Sequence, residues 1–293
     1  MRAFDYMLDD SLIRLNVIGE CVIAAVKLNG HVYLAKNRDR GYHAKVNVIH
    51  EIVNGTEVIL WHDLDTDWCE GMNEHGVGVV NSSLMVRKDE KESEQVKDNV
   101  DILNKSHKQR KTTDGMKIKR ALSFTSVDEV VDSLLGKIGE PALNGHTIVS
   151  DGHDIYALEV TTRYEPTAAK LGSDTNVFVR SNHGIIHPNV GYIYGKKKES
   201  SHDRLNLAHQ HLDKVSHKRE ILDVLKAKYK SDPFLNPYRA ENPYNMYTTG
   251  QILMDLFNKS VTIRMDKDLS EFRGIDNRLP KHYKPKIRVT IEH

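Results

Sequence analysis

From residue 21 onward the apolar positions fall into short runs broken by turn residues. Residues 21–28 and 31–35 flank Asn29-Gly30, and residues 46–53 and 56–61 flank Asn54-Gly55. Asn and Gly both tolerate positive φ, so Asn-Gly between two apolar runs predicts a type I′ hairpin. A third pair runs through Trp68-Cys69-Glu70-Gly71-Met72 and Val77-Gly78-Val79-Val80, turning at Asn73-Glu74-His75-Gly76. The segment after Cys21 therefore predicts an antiparallel sheet.

Further along, the period changes. Ser126-Val127-Asp128-Glu129 is a capping box. It opens a helix with Val127, Val130, Val131, Leu134 and Leu135 on one face and Gly136 at its end. Residues 147–150 and 155–160 flank Asp151-Gly152 as another hairpin, and residues 176–180 predict a strand ending at Ser181-Asn182-His183-Gly184. Two helices follow, one from near Ser200 carrying Leu205, Ala208 and Leu212, the other over 217–229 with Ile221, Leu222 and Leu225 as its stripe. Residues 231–246, rich in Pro and Asn, read as a long loop, and 261–265 and 287–291 as late strands. This order predicts an α+β fold with sheets layered between helices, not a βαβ parallel fold.

Composition narrows the function classes. The 293 residues are 39% hydrophobic and 28% charged, with 42 Lys+Arg against 41 Asp+Glu, a net charge of +1. A balance this even gives no global field for nucleic acid or an acidic membrane surface. The charged run at 87–94 and the basic run at 105–111 read as a solvated helix or loop, with a local binding surface as the alternative. Only Cys21 and Cys69 are cysteines, so a disulfide framework does not organise the chain; two thiols in a reducing compartment is the plain reading. Charged residues interrupt the N-terminal stretch, no apolar run reaches the length of a membrane span, and a cytoplasmic location is the expectation. The 16 histidines are scattered, with no helix-borne ligand spacing, so neither a metal nor another cofactor is expected.

Four residues then suggest chemistry. A cysteine works as a nucleophile when its pKa is lowered or a base stands beside it. Cys21 heads a strand, not a helix, so its own α-amine is the available base once the bond after Glu20 is cut; such an amine titrates near pH 7.7–8.0. The first hairpin brings Asp39 back towards Cys21, where a carboxylate can tune that amine; the other reading is a hairpin-end ion pair with Arg38 or Arg40. Asn81 and Asn182 close strands, where a side-chain amide can face a developing oxyanion; each also suits a turn.

Taken in order, these segments resemble a family. Cys21, Asn37-Arg38-Asp39, Gly71-Met72-Asn73-Glu74-His75-Gly76-Val77, Asn81, Asn144-Gly145-His146, Asp151 with Leu158-Glu159, and Ser181-Asn182-His183 are similar to motifs of the cysteine N-terminal-nucleophile (Ntn) hydrolases. That group takes in penicillin V acylase, choloylglycine hydrolase, acid ceramidase and the isopenicillin N acyltransferases. The resemblance spans about residues 21–205 and is nearest the acyltransferase group. It implies a four-layer αββα sandwich with two stacked antiparallel sheets. It also implies a propeptide, 1–20, removed by self-cleavage between Glu20 and Cys21, and one domain over 21–293 with a charged insertion at about 87–120. The implied activity is hydrolysis of a linear amide through an acyl-enzyme on Cys21, with acyl transfer at the same site or a non-catalytic binding protein as alternatives. Asp39 would hold the amine, Asn81 and Asn182 would stabilise the oxyanion or position the amine, and Arg204 matches the family's active-site Arg. Lys36, Arg38 and His183 are candidate substrate-binding residues. A small-molecule or peptide amide is the implied substrate, and a homo-oligomer is compatible with it. Two departures stand out: Lys36 where many relatives carry Arg, and Glu20 where small or apolar residues are usual.

Overall fold

The computed structural model describes residues 20–84, 114–139, 141–192, 195–239 and 246–292. Residues 1–19, most of the proposed propeptide, and 85–113, most of the charged insertion, lie outside them.

Two sheets stack face to face. The first has six strands in the order β10 (Val177–Arg180), β1 (Cys21–Leu28), β2 (His31–Arg40), β11 (Tyr247–Asp255), β12 (Ser260–Met265) and β14 (Arg288–Glu292). The second has eight: β13 (Ser270–Asn277), β3 (Ala44–Val53), β4 (Thr56–Asp63), β5 (Cys69–Asn73), β6 (Gly78–Ser82), β7 (Gly145–Ser150), β8 (Ile155–Val160) and β9 (Thr167–Lys170). Helices α1 (Asp114–Ala121) and α2 (Val127–Leu134) cover the second sheet, and α3 (Gly195–Leu212) and α4 (Lys218–Lys226) cover the first.

Alternation along the strands creates three apolar layers. Ile23, Ala25, Leu34 and Ile252 meet Val46, Ile59, Trp61 and Val80 between the sheets. Val22, Ala24 and Ala35 pack under Ala208, Leu212, Ile221 and Leu222. Val58, Leu60 and Val79 pack under Ile118, Val130, Val131 and Leu134. β1 is thus buried on both faces, which is why it reads as a continuous apolar run. Asn29 (φ 51°) with Gly30 (φ 80°), and Asn54 (φ 51°) with Gly55 (φ 86°), supply the left-handed residues of the expected hairpins. The Ser126 capping box forms with Glu129.

Three expectations need correction, and one strand was not foreseen. The sheets are mixed: β14 pairs with β12 and β13 with β3, both parallel. After β12 the chain crosses to the second sheet as β13 and returns as β14, entering each edge alongside its neighbour. The central strand β11 escapes a hydrophobic pattern because Thr248, Thr249 and Gln251 are buried with polar partners on β2. The end of the charged stretch is a helix, one of the two expected forms, but it is not wholly solvated, since α1 buries Ile118 and Ala121. Finally, α4 ends at Lys226, short of 229, because the Asn236 side chain captures the Tyr229 and Lys230 N–H groups and turns the chain.

Candidate active site

Cys21 opens β1 directly opposite Arg38 of β2, so Glu20 continues the ladder opposite Asp39. The Asp39 N–H donates to the Glu20 carbonyl at 3.0 Å. The Cys21 N–H donates to Asn182 Oδ1 at 3.1 Å. The bond joining Glu20 to Cys21 is therefore gripped on both sides, its carbonyl oxygen by a backbone donor and its nitrogen by a side-chain acceptor.

Asn182 is itself fixed. Its Nδ2 donates to Ser82 Oγ at 3.0 Å and to the Ser83 carbonyl at 2.9 Å, while its N–H donates to Ser181 Oγ and Ser201 Oγ. Arg204 donates to the same Asn182 Oδ1 at 2.9 Å. With its amide nitrogen committed to Ser82 and Ser83, Asn182 turns its oxygen to the Cys21 nitrogen.

The two faces at this end of the first sheet differ. Asp39 and Glu20 point towards the α3 layer and meet two guanidiniums. Arg204 reaches Asp39 at 3.3 Å and Glu20 at 3.4 Å; Arg239 reaches Asp39 at 3.6 Å and pairs closely with Glu20. Tyr192 OH donates to Glu20 Oε1 at 2.6 Å, and Thr248 Oγ1 donates to Asp39 Oδ1 at 2.7 Å. All four charged side chains are at most 2% exposed, two positive and two negative. Burial raises both carboxyls. For Glu20, Arg239, then Arg204, and the tyrosine hydroxyl outweigh burial and hold it below the usual carboxylate range. For Asp39 burial wins and its carboxyl sits above that range, although Arg239 and Arg204 oppose the shift. The cations therefore serve Glu20 better than Asp39.

Cys21 shares the other face with Ile23 and Ala25, between the sheets. Ser82 Oγ donates to its carbonyl at 3.3 Å. Arg40 is buried, donates to Asp63 Oδ2 at 2.8 Å and lies near enough for its charge to feel Cys21. Lys36 and Arg38 lie on the same face of β2, fully buried and paired with the Glu70 carboxylate, while Arg38 also stacks on Trp61 at 3.5 Å. The structure thus puts these two candidates inside the sandwich with a protein partner. Cys69 is not bridged to Cys21; its thiol donates to the Gly115 carbonyl and burial raises its pKa far above the usual thiol value.

Asn81 is not brought to Cys21. It shares a sheet face with Val79, towards α1 and α2, and its Nδ2 donates to Thr147 Oγ1 at 2.7 Å. Its neighbour Ser82 takes the place beside Cys21. His183 is nearly buried, hydrogen-bonded to Ser201 Oγ at 2.9 Å and stacked on His202, and burial, His202 and other cations lower its pKa to about 3. It lines the wall as a neutral ring. The His146 and Glu159 motifs are supports: His146 Nε2 donates to the His183 carbonyl, and Glu159 accepts from the N–H groups of Ile185, Ile186 and His187. Together they pin the loop that presents Asn182.

Sequence reasoning missed Arg239, Tyr192, Thr248, Arg40, Ser82 and Glu70. Arg239 is hidden in the Pro- and Asn-rich segment that reads as loop. An open hollow of about 560 Å³ is lined by Leu28, Tyr33 and residues 216–220, at the other end of β1, while Cys21 is 2% exposed. Among the described residues no group of three or more His, Cys, Asp and Glu is placed to hold a metal ion, and no helix is long and apolar enough to cross a membrane.

The sequence matches no family model and no curated protein. The structure is similar to a Caenorhabditis elegans ortholog of N-acylethanolamine-hydrolyzing acid amidase, with a TM-score of 0.51 and 15% identity over 80% of this chain and 93% of that one. It also aligns with penicillin V acylase from Agrobacterium tumefaciens, at TM-score 0.43 and 14% identity over 86% of this chain and 88% of that one. With helices outside two stacked sheets, and a cysteine heading an inner strand, the chain has the αββα fold of the Ntn hydrolases.

Proposed function

We propose that the protein is a self-processing cysteine Ntn hydrolase that cleaves linear carbon–nitrogen amide bonds through an acyl-enzyme on Cys21. The observation carrying this reading is the double grip on the bond before Cys21: the Asp39 N–H on its carbonyl and Asn182 Oδ1 on its nitrogen. Either contact alone is ordinary sheet or loop chemistry. Both at one bond, beside a cysteine, prepare that bond for attack.

In self-cleavage the Cys21 sulfur attacks the Glu20 carbonyl carbon. The carbon–nitrogen bond breaks, the α-nitrogen takes up the proton lost by the thiol, and Glu20 is left as a thioester on Cys21. Water then adds to that thioester, the carbon–sulfur bond breaks, and residues 1–20 depart with a C-terminal carboxyl group while the thiol is restored. In turnover the freed α-amine accepts the thiol proton, the thiolate attacks a substrate amide, and the leaving amine carries the proton away. The Asp39 N–H meets the oxyanion. Arg204, beside Asn182, disfavours protonation of the amine and keeps it a base.

Passing the acyl group to an amine instead of water needs no further residue, and product analysis with an added amine separates the two outcomes. The first test is intact mass and N-terminal sequence of the purified protein beside Cys21→Ala. The reading expects the wild type to begin at Cys21 and the variant to keep residues 1–20. A wild type that keeps them after long incubation sinks it.

A further inference from the structure

Glu20 is tied down more firmly than the last residue of a discarded segment needs to be. Its carboxylate is buried and receives Arg239, Arg204 and the Tyr192 hydroxyl. Its main-chain carbonyl is the one gripped by Asp39. If self-cleavage proceeds as proposed, Glu20 is the first acyl group that Cys21 ever carries. Its thioester has the same bonding as the acyl-enzyme of any later substrate. The uncleaved chain therefore displays an acyl group seated in the site, with its carbonyl and its side-chain anion both bound.

Departure of Glu20 removes one negative charge from a cluster of two and two. Arg204 and Arg239 remain, fully buried, against Asp39 alone. Among the described residues the Nε groups of both arginines also lack a hydrogen-bond acceptor. A buried guanidinium without a matching anion is costly, so this end of the site favours an anionic occupant. An alkyl chain placed there would leave the excess cation unmatched.

We propose that Arg204 and Arg239, with Tyr192, form an acyl-carboxylate subsite, and that the enzyme acts on amides of five-carbon dicarboxylic acyl groups. The inference rests on the hydrolase reading above. Glu20 sets the length: three carbons separate its carbonyl carbon from its carboxylate carbon. Glutaryl amides reproduce that spacing, as do amides of the α-carboxyl of an N-acylated glutamate. Succinyl is one carbon short, and unbranched fatty acyl groups lack the anion.

The test uses the processed wild-type protein with glutaryl-, succinyl-, pentanoyl- and octanoyl-4-nitroanilide. The glutaryl anilide is expected to exceed the pentanoyl in kcat/KM by about 30-fold, the effect of one charge-assisted contact. Arg239→Gln is expected to bring that ratio close to one, chiefly through loss of glutaryl turnover. Because this variant could fail to fold, a second arm stays with the wild type: glutarate should slow alkylation of Cys21 by iodoacetamide, and pentanoate at equal concentration should not. Equal turnover of glutaryl and pentanoyl anilides overturns the subsite. So does equal protection by the two acids, which also decides the matter if no anilide is cleaved. Both outcomes leave the hydrolase reading standing, because an N-terminus at Cys21 tests that reading separately. A wild type never cut before Cys21 removes both.

Discussion

On one face of β2, Lys36 and Arg38 share Glu70 between the two sheets; on the other, Asp39 shares Arg204 and Arg239 with Glu20. Both groups are buried and both hold carboxylates against two cations. They differ in where the matching carboxylate sits along the chain. Glu70 belongs to β5 and leaves only if the protein unfolds. Glu20 is the residue before the candidate nucleophile and would leave under the proposed self-cleavage. The first group is permanent support beside the candidate nucleophile. The second is balanced in the uncut chain, and under the proposed self-cleavage it would become a site that favours anions.

The sharpest break between the two is Cys21→Ala. It should abolish both cleavage and amide turnover, a loss of at least about 10³-fold, while leaving both charge groups and the fold in place, as mass, activity and denaturation together will show. Next is Glu70→Gln, which strands Lys36 and Arg38. It should destabilise uncut and processed protein alike by about 3–5 kcal/mol in urea unfolding. Glu20→Gln, by contrast, should weaken only the uncut chain: made in the Cys21→Ala background it should lower the urea midpoint, and no loss there would erase the distinction. Asn182→Ala releases the nitrogen of Cys21 and should cost about 10²-fold in cleavage rate, followed by gel or mass over time.

The smallest effect concerns pH. Burial holds His146 below the ordinary histidine pKa, with the His183 carbonyl opposing the shift. The unfolded chain therefore binds the proton more readily than the folded one. This contribution to stability is present above the ordinary value and declines as pH falls below about 6.5, by at most about 1.4 kcal/mol per pH unit for this group. Urea midpoints measured from pH 7 to 5 should fall, and the fall should flatten in His146→Asn.

What could be read from the sequence divides along physical lines. The Asn-Gly hairpins, the capping box and the apolar stripes of α2 and α4 are local signals and appear where expected. Cys21, Asp39, Asn182 and Arg204 do converge, and Arg204 reaches Asp39 across 165 residues. No periodicity connects those positions; the motif order did. Asn81 fails by a single register step, because neighbouring strand residues face opposite ways and Ser82 faces Cys21 instead. β11 and Arg239 were hidden for a related reason. Their polar side chains find partners inside the protein, such as Thr248 on Asp39, and composition cannot foresee that.

The long reach of the contacts around Cys21 bears on when the protein can become active. The cysteine is made before Asn182, Arg204, Arg239 and Thr248, which follow it by 161 or more residues. A chain growing on the ribosome lacks the grip of Asn182 until 161 residues beyond Cys21 have been made, and the full set of contacts until Thr248 follows. Under the proposed chemistry, the cut is a timer set by synthesis itself, and a truncated or misassembled copy stays sealed.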